Sequence, residues 1–255
     1  ITPEGVVTTW AGTAGVSGST DGTGAAARFT YPVAVTMDES SNLYVADSGN
    51  NTIRKITPEG VVTTLAGTAR VTGDANGTGA AASFNALGGI ASDSSGNLYV
   101  VDIGSNTVRK ITAAGVVTTL AGTVGVPGST DATGTAASFN TPYGIAVDPS
   151  GDLYVTDTGN NAIRKITAAG VVTTLAGTAS PTGGNADGTG AAASFGGPAG
   201  VTVDSSGNVY VTDMNSYTIR KITAAGVVTT VAGAAGVPGS TDATVGTDAR
   251  FYVPY

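Results

Sequence analysis

The phrase RKITAAGVVTTLAGT runs from Arg109 to Thr123 and returns unaltered from Arg164 to Thr178. Near-copies of its middle, ITxxGVVTT, begin at Ile1, Ile56 and Ile222, so the five copies start at positions 1, 56, 111, 166 and 222. A nearly constant period of this length indicates a repeat architecture in which each repeat is one supersecondary unit.

Each repeat contains four strand-like runs joined by tight turns. In the third repeat, the runs TPYGIAVD, DLYVTD, NAIRKIT and GVVTTLAG are rich in Val, Ile, Tyr and Thr and show no helical period. The turns between them are DPSGD at Asp148–Asp152, DTGNN at Asp157–Asn161 and TAAG, and their Asp, Asn and Gly residues favour turn conformations. Three such hairpins predict a four-stranded antiparallel meander.

The strands lack the alternation expected of a sheet that has one face in water. Leu98–Val101 and Val116–Val117 are continuous apolar runs, so both faces of each sheet are predicted to be buried. Sheets stacked radially around an axis satisfy this requirement, which predicts an all-β fold: a β-propeller of four-stranded antiparallel blades. A single sandwich and a parallel β-helix explain the repeat less well.

The whole chain is predicted to be one propeller domain over residues 1–255, with four complete blades and incomplete ends. The predicted parts are blades at 32–66, 87–121, 142–176 and 198–232, an orphan strand at 5–10 and a C-terminal crossing at 233–255. The crossings between blades repeat a phrase like DGTGAAARF, Asp21–Phe29. We expect its Phe to anchor each crossing in the core and its Asp to cap a turn.

The stretch PYGIAVDPSGDLYVTDTGNNAIRKI, Pro142–Ile166, resembles an NHL-repeat β-propeller unit, as do the copies that begin at Pro32, Leu87 and Pro198. The long 55-residue form, with its DGTG-type insertion, is similar to tandem NHL repeats of large bacterial secreted and surface proteins. The resemblance implies a ring that usually closes with about six blades. It implies little about chemistry, because the family spans protein-binding modules, RNA-binding modules and a few lyases.

The two ends of the chain leave three explanations open. Gly5–Trp10 reads as the fourth strand of a blade whose other strands are absent, and the last crossing stops at Tyr255, where a fifth blade would begin. The chain is part of a longer ring, or its ends meet in a four-bladed or irregular five-bladed closure, or copies join end to end through the orphan strand.

The composition excludes several kinds of site. With no His and no Cys, the chain has no disulfide, no thiolate or imidazole metal site and no His-based catalysis. The net charge is −7 and eight of the eleven basic residues form four Arg-Lys pairs, so no basic tract suits nucleic acid. No apolar run reaches the ~20 residues of a membrane helix. The acidic, Thr- and Gly-rich composition is common on bacterial surfaces and favours an extracellular or cell-surface location.

The repeated charged residues are interpreted as structural. The Asp residues that end the first and second strands lie at turn positions, which favours turn formation over Ca²⁺ binding. The Arg of each Arg-Lys pair is expected to bind the strand-two Asp across the hairpin, with the Lys discouraging edge pairing. We predict no catalytic residue, no metal site and no cofactor.

Aromatic residues that break the repeat are the candidate binding residues, because exposed Tyr and Trp suit contacts with protein or sugar. The candidates are Trp10, Tyr31, Tyr143, Tyr217 and Tyr255. The sequence favours a non-enzymatic surface module, a scaffold or adhesive element that binds a protein partner, copies of itself or carbohydrate. The alternative is an NHL-type lyase or hydrolase that uses a Ca²⁺-dependent acidic site in place of metal-bound His.

Overall fold

The computed structural model describes Ile1 and residues 3–255, and its strands form four antiparallel sheets, here blades 1 to 4. In each blade the four strands follow one another in chain order and pair with their neighbours. The strands are Pro32–Met37, Leu43–Asp47, Thr52–Ile56 and Val61–Ala66 in blade 1; Leu87–Ser92, Leu98–Asp102, Thr107–Ile111 and Val116–Ala121 in blade 2; Pro142–Val147, Leu153–Asp157, Ala162–Ile166 and Val172–Ala176 in blade 3; and Pro198–Val203, Val209–Asp213, Thr218–Ile222 and Val227–Ala232 in blade 4.

Three blades carry a fifth, two-residue strand that the sequence did not predict. In blade 1, Gly22–Thr23 of the preceding crossing pairs antiparallel with Val61 and Val62 of the fourth strand. The crossing therefore wraps around the outer edge of the blade that it leads into. Equivalent strands lie at Gly77–Thr78 and Gly188–Thr189, while blade 3 has a single bridge between Thr133 and Val171.

Apolar side chains form a separate core between each pair of neighbouring blades. Between blades 1 and 2, Tyr44 and Ile53 of blade 1 pack in one cluster with Phe84, Ile90 and Leu98. Two further clusters join blade 2 to blade 3 and blade 3 to blade 4 in the same way. The inner sheets are thus covered on both faces, which confirms the radial stacking inferred from the unbroken apolar runs.

The first strands lie side by side and line the axis of the propeller. A Cβ added to Gly89 of blade 2 would lie 2.9 Å from the backbone nitrogen of Ile145 in blade 3, so this close approach requires glycine. Between blades 1 and 2, the hydroxyl oxygens of Thr36 and Ser92 are 2.9 Å apart. The end at which the first strands begin and the second strands end is called the front face below.

A fully buried arginine in each third strand holds the crossing against its blade; the four are Arg54, Arg109, Arg164 and Arg220. In blade 3, Arg164 donates to Asp157 Oδ2 at 2.8 Å, to Asp131 Oδ1 at 2.6 Å and to two carbonyl oxygens of the crossing. Its guanidinium carbon also lies 5.2 Å from the centre of the Phe139 ring. The predicted pairing of Arg with the strand-two Asp is confirmed.

The residues of the repeated crossing phrase anchor it as a unit. Phe84, Phe139 and Phe195 are fully buried, which confirms the expected anchoring role in these three crossings. The expectation that the crossing Asp caps its own turn is wrong. Asp131 instead accepts the backbone N–H and the hydroxyl of Thr174 in the fourth strand, besides its bond to arginine.

The two outermost sheet faces are not covered by a neighbouring blade, although the first crossing packs against part of the blade 1 face, where Val45, Ile56 and Val62 are buried. In blade 1, Val35 is 58% exposed, whereas Ile90 and Ile145 at the same position of blades 2 and 3 are 6% exposed. In blade 4, Tyr210 and Ile219 are half-buried, although their counterparts in blades 1 to 3 are buried. The four blades therefore form an open arc in which blade 4 does not cover blade 1.

The predicted orphan strand is not formed. Residues 5–10, all of which the structure describes, do not form a β-strand. No third strand of the same blade lies beside them to pair with. No helix among the described residues is long and apolar enough to cross a membrane.

Replacing Phe139 by alanine is expected to lower the free energy of unfolding by about 3–5 kcal/mol, since the ring fills a core between two blades. Phe29→Ala is the matched control, because Phe29 holds the same repeat position but is only half-buried beside the uncovered face of blade 1. Urea unfolding of both variants is the measurement. Equal losses of stability would contradict the inter-blade core.

Candidate functional site

The front face carries a pocket whose walls come from three blades and the last crossing. The pocket has a volume of about 360 Å³. It is lined by Tyr31, Pro32, Val33, Ser48, Ala86, Leu87, Ile103, Tyr143 and Tyr255. Three of the five aromatic residues proposed from the sequence, Tyr31, Tyr143 and Tyr255, therefore meet in one place.

A repeated backbone conformation points Tyr31 into solvent. The residue just before each first strand has a positive φ, and so does Val253 at the equivalent position of the last crossing. The φ angles are 51° at Tyr31, 59° at Ala86, 48° at Thr141, 76° at Gly197 and 51° at Val253. The chain turns sharply here because the crossing must reverse into the innermost strand. As a result the Tyr31 side chain stands away from the core, and the residue is 79% exposed.

Tyr143 and Tyr255 form the inner wall of the pocket. Their rings meet edge to face, with centroids 5.2 Å apart, a geometry that aromatic pairs prefer. Tyr255 reaches this point because the backbone of the C-terminal segment packs against Gly200 in the first strand of blade 4. Burial, followed by the neighbouring Tyr255 hydroxyl, raises the pKa of the Tyr143 hydroxyl well above its usual range, so this hydroxyl stays protonated.

The pocket collects the positions at which the repeats differ most. Three of them, named the mouth positions, are the residue before the first strand, the second residue of that strand and the residue after the second strand. The residue before the first strand is Tyr31, Ala86, Thr141, Gly197 or Val253. The second residue of that strand, or its equivalent in the last crossing, is Val33, Gly88, Tyr143, Ala199 or Tyr255. The residue after the second strand is Ser48, Ile103, Thr158 or Met214. By contrast, the strand-two Asp and the strand-three Arg are the same in every blade. Seven of the nine lining residues occupy mouth positions.

The remaining candidates from the sequence lie elsewhere. Trp10 is 45% exposed, and its indole nitrogen approaches the turn at Gly60 of blade 1, where a Cβ would lie 3.3 Å away. Tyr217 stacks on Tyr252 with ring centroids 6.5 Å apart, outside the pocket lining. Sequence reasoning missed Val33, Ser48 and Ile103, although aligning the repeats at the mouth positions would have found them.

The acidic residues at the opposite end of the blades are engaged in turns. A cavity of about 520 Å³ lies there among the turns that join the first and second strands. Asp148 accepts the N–H groups of Ser150 and Asp152 through Oδ1 and the Tyr154 hydroxyl through Oδ2. Among Ile1 and residues 3–255, no group of three or more acidic side chains is placed to hold a metal ion.

The turn bonds also favour the ionised form of the Asp204 carboxylate. In blade 4, the side-chain amide of Asn208 and the backbone N–H groups of the turn lower the pKa of Asp204 below its usual value. A carboxylate used in this way has its oxygens directed at its own turn. This geometry favours a structural role for the cavity walls over ion binding.

Comparison with known proteins agrees with the repeat geometry. The NHL repeat model matches residues 139–166 and 195–222, which contain the first three strands of blades 3 and 4. Blades 3 and 4 carry NHL repeats. Human NHL repeat-containing protein 2 is 34% identical over 137 residues, which cover 50% of this chain and 19% of that protein. The bovine protein of the same name is 37% identical over 95 residues, covering 36% of this chain and 13% of that protein. The chain thus spans less than a fifth of the length of these relatives.

Solved structures share the fold of the NHL blades. A streptogramin B lyase superposes with a TM-score of 0.57 at 18% identity, covering 79% of this chain and 54% of that one. An auxiliary nutrient binding protein from Bacteroides ovatus superposes with a TM-score of 0.63 at 20% identity, covering 88% of this chain and 52% of that one. At these identities the likeness is one of β-propeller architecture.

Blade 2 differs from the other NHL blades in the partner of its buried arginine. Arg109 donates to Asp102 and to Asn76, whereas the other three arginines each bind two carboxylates. Asn76→Asp is expected to raise the free energy of unfolding by about 0.5–1 kcal/mol, the value of a partly exposed ion pair. Thermal unfolding at low and high salt measures the gain, which should shrink with salt.

The matched control is Asp131→Asn in blade 3, which removes the equivalent carboxylate beside Arg164. It should lose a similar amount of stability. If both substitutions left the unfolding temperature unchanged, the arginine clamp would not stabilise the crossing.

Proposed function

We propose that the chain is a non-enzymatic, extracellular interaction module that binds a partner at the tyrosine-lined pocket of its front face. The observation that carries this proposal is the convergence of the mouth positions. A repeat protein whose blades are otherwise nearly uniform has its differences gathered in one pocket, and these differences bring in exposed tyrosines. Tyrosine supplies large contact area and a polar tip, which suits recognition.

The charged groups support a binding role over catalysis. The buried arginines and the strand-two aspartates bond to each other, and the aspartates at the back bond to their own turns. A general acid or base needs a positioned titratable group within reach of the substrate. Apart from the three tyrosines, none of the nine residues that line the pocket has a titratable side chain. The absence of His and Cys from the chain points the same way.

The extracellular location is supported by composition. Only 11% of the residues are charged, the net charge is −7, and no cysteine is present whose redox state would limit the compartment. Thr- and Gly-rich repeats of this kind suit a surface scaffold, as the sequence suggested.

The pocket proposal is tested by selecting random twelve-residue peptides from a display library against the immobilised chain. Enriched clones are expected to bind the wild type and the Tyr252→Ala control, and to lose binding to Tyr31→Ala and Tyr143→Ala. Tyr252 is a matched control because it is 77% exposed, close to the 79% of Tyr31, but lies outside the pocket lining. The proposal would be overturned if the enriched clones bound Tyr31→Ala and Tyr143→Ala as tightly as they bind the wild type.

The uncovered faces of blades 1 and 4 favour a second function, assembly with copies of the chain. The face around Val35 of blade 1 and the face around Tyr210 and Ile219 of blade 4 have the residue types that pack together at the three internal interfaces. Blade 4 of one copy is therefore complementary to blade 1 of another. Such a head-to-tail contact is heterologous, so it builds a ring or a filament.

Light scattering over a wide range of protein concentration tests this assembly. The wild-type mass is expected to rise with concentration, while Val35→Lys stays monomeric because a buried, unpaired charge is costly at the contact. Val126→Lys is the matched control, since Val126 is 52% exposed but lies in a crossing. A wild type that remains monomeric throughout, or a Val35→Lys variant that assembles normally, would contradict it.

A further inference from the structure

We infer that the ligand of the front-face pocket is an uncharged, proline-rich peptide segment in an extended polyproline II conformation. This inference rests on the proposed interaction function and specifies its ligand class. Three features of the pocket support it: its apolar walls, its phenolic hydroxyl groups and its lack of charge.

The walls favour a ligand with flat apolar sides. Pro32, Val33 and Leu87 lie among the tyrosine rings, and the edge-to-face packing of Tyr143 on Tyr255 presents a ring face next to a ring edge. Aromatic-lined grooves of this kind accept proline rings, which stack on aromatic faces without loss of conformational entropy because the polyproline helix is already formed.

The hydrogen-bonding groups match the same ligand. A proline-rich segment presents carbonyl acceptors but few N–H donors, so its partner must donate. The pocket offers the hydroxyl groups of Tyr31, Tyr143 and Tyr255, each of which carries one proton to donate. The Ser48 hydroxyl already donates to the carbonyl of Leu87 and so supports the wall.

Charge argues against other ligand classes. None of the nine lining residues is charged, and the chain as a whole carries −7, so an anionic ligand gains no attraction. A saccharide presents many hydroxyl groups, which call for planar amide, carboxylate or guanidinium partners. The lining contains none of these side chains. The volume of about 360 Å³ lies near the lower end of ligand pockets, so a short segment fits better than a folded surface.

The test is an NMR titration of the whole chain with acetylated, amidated octaproline, followed through the tyrosine ring resonances. Saturable shifts are expected at Tyr31, Tyr143 and Tyr255, and an uncharged Gly-Ser octapeptide should produce none. Tyr31→Ala is expected to weaken binding about tenfold, as the loss of one aromatic contact and one hydrogen bond implies. Tyr31→Phe keeps the ring and should lose less, and Tyr252→Ala should bind as the wild type does.

Three results would overturn the inference. Octaproline that causes no saturable shift at these rings, or that binds Tyr31→Ala as tightly as the wild type, removes the peptide class. Saturable binding of the neutral sugar cellotetraose at the same rings, without octaproline binding, also removes it. In each of these cases, tyrosine-dependent clones from the random peptide selection would still support binding at the pocket. Failure of the ligand class and failure of the interaction function are therefore distinguishable.

Discussion

The buried arginine of each third strand is the interaction on which the rest of the structure depends. A guanidinium without solvent exposure needs partners for its donors, and here its two terminal nitrogens bind a buried aspartate, a crossing residue and crossing carbonyl groups, while Nε has no hydrogen-bond partner among the described residues. One side chain thereby fixes the second strand, the third strand and the crossing relative to one another. The phenylalanine under the guanidinium then fills the gap between blades.

This clamp explains how a loop-rich chain presents a defined front face. Because each crossing is bonded along its length, it enters the first strand in the same sharp turn every time, with a positive φ at the residue before the strand. The mouth positions are thus placed by residues that do not vary between blades. Substitutions at the mouth positions change the front-face surface but leave the strands and the arginine contacts of each blade unchanged. Repeat proteins build binding sites in this way.

The repeat let the sequence predict the all-β class, the antiparallel meanders and the Asp–Arg pairing, because these depend on local period and turn chemistry. The two-residue fifth strands were not predictable, since Gly22–Thr23 is too short to show any period. The site was predictable only in part. Tyr31, Tyr143 and Tyr255 were recognisable as departures from the repeat, but their meeting depends on where the last crossing packs against blade 4. For the same reason the sequence could not show that Trp10 and Tyr217 lie outside the pocket formed by the other three aromatic residues.

The pocket depends most directly on the meeting of Tyr143 and Tyr255, because this contact joins the last crossing to the third blade and completes the pocket wall. The decisive measurement is the nuclear Overhauser effect between the ring protons of these two residues in the free chain. With ring centroids 5.2 Å apart, a clear cross-peak is predicted. A spectrum with assigned rings and no such cross-peak would show that the tyrosines do not converge.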